Sequence, residues 1–229
     1  MAPAIPALLF VLLIGILIAD VVEFSFSKLG IPGWVTLLIF LATLIGSTIN
    51  IPIWRRGGFV SPGDNFNHFH RFFGYHPPVA AYQTIAINVG GAVIPILLSL
   101  WLLPHTHVLR TIIATAVVAV VVHLSATIVP GSGVEMPIWI APLVAALSAL
   151  LLTWGDRAAP MAYIAGSIGA LLGADISNLG HLAALGPGTL SIGGAGVFDG
   201  VFLSGFVAAL ISFDRPRKPR LPRSSAPIG

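Results

Sequence analysis

The chain has 229 residues, of which 56% are hydrophobic and 8% charged, and its mean hydropathy is +0.97. A soluble domain carries about 25% charged residues, so this composition excludes an ordinary soluble globular protein and implies an integral membrane protein. Cysteine is absent, which excludes disulfides, iron–sulfur clusters and thiolate zinc sites; the pI near 9.8 comes mostly from a short basic tail, a topology signal rather than a nucleic-acid footprint.

Seven apolar stretches follow in chain order, at about 4–22, 34–53, 79–103, 109–129, 136–154, 160–180 and 192–213. A bilayer crossing needs about 20 apolar residues. These stretches predict an all-α fold: a polytopic transmembrane helix bundle of about seven spans over residues 1–213, with a basic, Pro-rich, disordered tail at 214–229. The first stretch lacks the basic n-region and small-residue cleavage site of a signal peptide, so it reads as a retained helix. The positive-inside rule orients the bundle. With the C-terminus cytoplasmic, Lys28, Arg110, Arg157 and the tail cations Arg215, Arg217, Lys218, Arg220 and Arg223 share one side, against Arg55, Arg56 and Arg71 on the other. This predicts a multi-pass cell (inner) membrane protein with its N-terminus outside. The long connection at 55–78, "RRGGFVSPGDNFNHFHRFFGYHPP", then lies outside as well. It holds His68, His70 and His76 near Asp64, the candidate metal ligands of the chain. A surface loop with interfacial aromatics is the simpler account, and no metal is expected.

Ionisable and amide residues inside apolar spans are costly and face a cavity or a partner. Here they are Asp20, Asn50, Asn88, His123, Asp175, Asn178 and Asp199, with Glu23 and Glu135 near segment ends. Asp175 falls about five residues before the outer end of the sixth stretch and Asp199 about seven residues into the seventh. At about 1.5 Å per residue both sit some 7–11 Å from the same end of their helices. Two carboxylates at one depth can share a proton, as aspartyl hydrolysis requires. Asn88, His123 and Asn178, with Gly194, Gly196 and Gly200, are candidates for a substrate-binding site or polar path. The alternative is that each acid is capped locally, Asp175 within "GADISNLG".

Helical spacing adds a constraint. Gly166, Gly169, Gly173 and Ser177 form one small-residue face on the sixth stretch, with Asp175 pointing almost opposite. Gly193, Gly196, Gly200 and Ser204 form another on the seventh, with Asp199 at its edge. In regular helices these faces and acids cannot share one interface. Either the sixth segment contacts helices on both sides, or one helix breaks near its acid.

The runs "NVGGAVIPILLSLWLL", "VPGSGVEMP", "GADISNLG" and "SIGGAGVFDGVFL" together resemble an uncharacterised family of small bacterial and archaeal multi-spanning membrane proteins, a domain of unknown function, over about residues 45 to 212. The order "GAD" then "GAGVFDGVFL" is also similar to the presenilin and signal-peptide-peptidase group of intramembrane aspartyl proteases. That likeness implies Asp175 and Asp199 as a catalytic dyad, with Gly194 and Gly196 as the glycines before the second acid. Val197 and Phe198 separate Gly196 from Asp199, no tyrosine stands directly before Asp175, and Pro142–Leu143 comes before both acids.

Three functions follow as expectations: an intramembrane aspartyl protease-like hydrolase, a transporter or channel for a small solute, proton or cation with the same acids along its path, and a non-catalytic membrane scaffold. No cofactor is expected. The expected partners are membrane lipids and either a transmembrane helix substrate or a small solute, not nucleic acid, and the sequence leaves the oligomeric state open.

Overall fold

Helix α1 (Ala4–Lys28) is a long apolar run whose one proline, Pro6, falls in the first turn, where a missing N–H costs no bond. Gly30, at φ +81°, ends it, and α2 (Gly33–Gly46) starts behind Pro32. The two helices meet at a bend of 114°. The computed structural model describes residues 4–60, 79–129, 133–154, 157–181, 188–194 and 200–212.

Strand β1 (Asn50–Val60) follows α2 and pairs antiparallel with β2 (Val79–Asn88), from Asn50 opposite Asn88 to Val60 opposite Val79. The register shifts between Pro52 and Trp54, where proline has no N–H for the ladder. A π turn (Val89–Val93) leads from β2 into α3 (Ile94–Leu102). Helix α4 (Val108–Ser125), a short hairpin of β3 (Thr127–Val129) and β4 (Gly133–Glu135), and α5 (Ile140–Thr153) come next. Helix α6 (Ala158–Ala170) runs on through a second π turn (Leu171–Asp175) and a 3-10 turn (Ile176–His181). Strand β5 (Gly188–Ile192) then pairs parallel with β2, from Gln83 opposite Gly188 to Ile87 opposite Ile192, and α7 (Gly200–Ile211) is the last described helix.

The chain is mostly helical, but the all-α expectation is corrected by the sheet β1–β2–β5. Strands occupy parts of stretches 34–53, 79–103 and 192–213, each expected to be one continuous span. An apolar run carries no period that separates a buried strand from a buried helix. The signal in "VAAYQTIAIN" is its β-branched and aromatic content. Among the described residues two helical runs are long and apolar enough to cross a membrane, Val108–Ser125 and Ala158–Gly180, and the bent α1–α2 pair makes up to three. The tail at 214–229 and His68, His70 and His76 lie outside the described residues.

Helix α6 is the axis. Its run is 78% buried inside the protein, against 22% for α4. Helix α4 instead turns Leu109, Ile112, Val120 and Leu124 outward. A ring of exposed aliphatic side chains suits a hydrocarbon solvent rather than water. Glycines set the close contacts of α6, and they do so against two helices rather than as the single face expected from the spacing. Gly166 lies against the backbone of Ser204 and Gly205 in α7, whereas Gly169 and Gly173 lie against Val118 and Val122 in α4. An alanine-rich cluster fills the side toward α4 and α5. Phe26, Tyr163, Phe202 and Phe206 pack the side toward α1 and α3.

The contacts also sort the two ends of the bundle. At one end Lys28 Nζ donates to Leu210 O at 2.6 Å and Ser212 O at 2.8 Å, capping the C-terminus of α7. Arg110 there donates to Leu152 O at 3.0 Å, and Arg157 stands at the start of α6. At the opposite end lie the sheet and Arg55, whose guanidinium sits 4.0 Å from the centre of the Tyr82 ring. Trp54 and Tyr82 are both exposed there.

Candidate functional site

The site forms where the two π turns meet the end of β5. A π turn inserts one residue into an α-helix and recurs at functional positions. In a regular helix Asp175, twelve residues beyond Tyr163, would point about 120° away from it. With one residue absorbed at Leu171–Asp175, the offset falls to about 20°, close to the about 40° that separates Ser167 from Tyr163. The helix irregularity expected near an acid is therefore present, at Asp175 itself, and it turns that carboxylate onto the face that carries Tyr163 and Ser167.

Asp175 Oδ2 accepts the backbone N–H of Gly193 at 2.7 Å. Gly193 and Gly194 both have φ +91°, a turn open to glycine, and Gly194 N–H closes it onto Ser191 O at 3.0 Å. A Cβ on Gly193 would come within 2.7 Å of Ala92 N in the first π turn. The two π turns are thus clamped together by one glycine and one acid. Asp175 is not capped within its own segment, as the local alternative expected.

Beside this clamp lies a buried amide network. Asn88, fully buried, donates from Nδ2 to Ser47 O at 2.7 Å and to Asn50 Oδ1 at 3.1 Å, and accepts Gly91 N–H at 2.8 Å. The Ser191 hydroxyl donates to the same Asn50 oxygen. One side chain therefore ties α2, β1 and the π turn, and a second ties β1 to β5. Asn88→Ala leaves two buried backbone groups unpaired and is expected to destabilise the protein by about 2–3 kcal/mol. A fall in the thermal midpoint of the purified protein in detergent measures it.

The other expected site residues divide. Asn178 donates to Ala174 O at 2.8 Å and Gly173 O at 3.4 Å, closing carbonyls freed where the helix changes pitch. It is a helix cap rather than a partner for Asp175. His123 is exposed, with Nδ1 2.9 Å from Ser177 Oγ, at the side of the clamp and not within it. Asn88 and Gly194 join the site, and Gly200 begins α7. Asp199 and Gly196 lie outside the described residues. Sequence reading gave Ser191 no role and Asn50 only a mention, because their bond joins residues 141 positions apart. Among the described residues no three His, Cys, Asp or Glu side chains are grouped to hold a metal ion.

Three more hydroxyls complete the picture. Tyr163 Oη, Ser167 Oγ and Ser99 Oγ are buried without a well-formed hydrogen bond. Tyr163 and Ser167 are one turn apart on α6, and Ser99 is on the buried face of α3, next to Leu98 and a turn before Leu102, which pack in the same cluster as Tyr163. A buried hydroxyl without a partner costs about 1–3 kcal/mol; Tyr163 and Ser167 lie within reach of each other, and the pair marks polar surface inside the apolar bundle.

A family model described as "Protein of unknown function (DUF1614)" matches residues 44–211. No curated protein and no solved structure matches the chain.

Proposed function

The chain belongs to the DUF1614 family, and from that premise we propose that it is an integral membrane protein that passes protons or small cations along the face of α6, with Asp175 as the charged station. The carrying observation is the run of groups on one helix: Asp175 at the sheet end, then the buried hydroxyls of Ser167 and Tyr163, with a further buried hydroxyl, Ser99, on α3. Acids and hydroxyls lined up through an apolar bundle are the material of a proton or ion relay. Asp175 takes up the cation at the sheet end, and water ordered by the three hydroxyls carries it toward the end that holds Lys28, Arg110 and Arg157. By the positive-inside rule that second end is cytoplasmic. The seven-span count belongs to this proposal too. Helix α7, at 12 residues, extends about 18 Å against about 30 Å of hydrocarbon, so its described residues alone do not make a full crossing.

The test is flux into proteoliposomes loaded with a pH-sensitive dye, driven in turn by proton, sodium and potassium gradients. Flux above protein-free vesicles is expected, slowed about tenfold by Tyr163→Phe, which corresponds to about 1.4 kcal/mol in the barrier. Vesicles no leakier than the blank under all three gradients would rule the relay out.

A different observation favours intramembrane aspartyl hydrolysis as a second activity. The Gly193 amide that binds Asp175 opens the run leading to Asp199, six residues on. Two carboxylates that meet can share a proton, as aspartyl hydrolysis requires. Cleavage of a transmembrane peptide, lost in both Asp175→Ala and Asp199→Ala, is the expected result. Full cleavage by both variants removes the dyad.

A further inference from the structure

The bend between α1 and α2 encloses a polar pocket that the relay does not use. Glu23 of α1 lies against Gly33 at the start of α2, so closely that a Cβ on Gly33 would overlap the carboxylate. The pocket, of about 300 Å³, is lined by Ala19, Val22, Glu23, Trp34, Thr36 and Phe40 among others. Thr36 has turned its hydroxyl to Pro32 O, so the charge in the pocket is that of Glu23. Among the described residues Glu23 makes no ion pair or side-chain hydrogen bond, and it lies beside the first turn of α2. Lys28, on the same helix, directs its ammonium to Leu210 O and Ser212 O.

A second cavity, of about 370 Å³, adjoins the first through Val22 and Phe40. It runs between α1 and α7 and is lined by Leu17, Ile18, Val21, Phe202, Leu203 and Phe206, with no polar side chain. The two cavities have a fixed order in depth. Lys28 caps the basic end, Glu23 lies about 7–8 Å inward of it, and Leu17 about 9 Å further in along α1. Trp34, 70% exposed, stands at the mouth of the polar pocket, as an interfacial aromatic does. The pair of cavities thus has a charged end at the level of lipid headgroups and an apolar end at the level of acyl chains.

We propose that this groove is a binding site for an aminophospholipid, with the primary ammonium on Glu23 and one acyl chain in the trough between α1 and α7. The charge selects the occupant. Glu23 is exposed at the mouth of the groove, and an ammonium that can donate hydrogen bonds makes a charge-assisted contact with its carboxylate. A choline head has no N–H to donate, and a glycerol head brings no cation. Phosphatidylethanolamine fits both ends of the groove. This site is separate from Asp175 and stands whether or not the relay does.

Native mass spectrometry of the full chain in mild detergent tests it, with phosphatidylethanolamine, phosphatidylcholine and phosphatidylglycerol of matched chains offered in equal amounts. The wild type is expected to retain the ethanolamine lipid over the choline lipid by about tenfold, a difference of about 1.4 kcal/mol. Glu23→Gln is expected to abolish that preference while still retaining lipid. Leu203→Trp, which fills the trough, is expected to lower retention of all three. Equal retention of the three lipids by the wild type, a preference for the glycerol lipid, or an ethanolamine preference that survives Glu23→Gln would each overturn the assignment. The thermal midpoint of each variant, measured in the same detergent, separates lost binding from lost folding.

Discussion

Gly193→Ala is expected to lower the thermal midpoint of the purified protein further than any other single change at the sheet end, and to cut the yield of folded protein in membranes. Two separate penalties fall on one atom. The residue sits at φ +91°, where an L side chain costs about 1–2 kcal/mol. Its Cβ would also come within 2.7 Å of Ala92 N and Gly91 C, backbone that cannot step aside, and overpacking of that kind costs about 1–3 kcal/mol. Relief by movement of the turn would pull the Gly193 amide off Asp175 and add the loss of that hydrogen bond. The sum is about 3–5 kcal/mol, or about 6–20 °C at the 2–4 °C per kcal/mol usual for a chain of this size. Gly15→Ala, where a Cβ meets nothing within 4 Å, is the control and is expected to leave the midpoint unchanged. A midpoint for Gly193→Ala equal to that of the control would mean that the two π turns are not locked together by this residue.

The largest functional effect is expected from Asp175→Asn. Asparagine keeps an oxygen in the place of Oδ2, so it still accepts the Gly193 N–H that Asp175 accepts at 2.7 Å. What it removes is the charge and the site for an exchangeable proton. The thermal midpoint is therefore expected to stay within about 1 kcal/mol of the wild type, as for a surviving neutral hydrogen bond. Flux in proteoliposomes is expected to fall about a hundredfold, roughly 2.7 kcal/mol in the barrier. Asp175→Ala, which loses the hydrogen bond as well, is expected to lower both flux and midpoint. Wild-type flux in Asp175→Asn would leave the acid a structural clamp and move the relay elsewhere.

What could be read before any fold was in hand came from short-range chemistry. The shared end of Lys28, Arg110 and Arg157 followed from the alternation of the apolar stretches, and the backbone carbonyls that Lys28 and Arg110 bind lie at that end. The conflict between the glycine face of the sixth segment and Asp175 followed from 100° per residue. It demanded either two-sided packing or a break, and α6 has both, glycine contacts on two helices and a π turn that ends on Asp175. The strands were hidden because Ile51, Ile85 and Ile87 are as apolar in a sheet as in a span. Their order in space, β1–β2–β5, joins residues from distant parts of the chain that no local pattern connects. The amide network was half visible. Asn88 stood out as an amide in an apolar run, but its partner Asn50 sat at the edge of a supposed helix, and Ser191 looked like loop. The orphaned hydroxyls were invisible for a further reason. Ser99, Tyr163 and Ser167 are residue types that membrane helices commonly bury with a backbone partner, and only packing reveals that theirs is missing.

The central claim is that the face of α6 from Asp175 to Tyr163 is a hydrated route through the bundle. The most direct measurement is an experimental density map of the protein in lipid nanodiscs, at a resolution that places ordered water. The account predicts water within hydrogen-bond distance of Tyr163 Oη, Ser167 Oγ and Ser99 Oγ. A dry contact in which those three hydroxyls bond only to protein groups would contradict it.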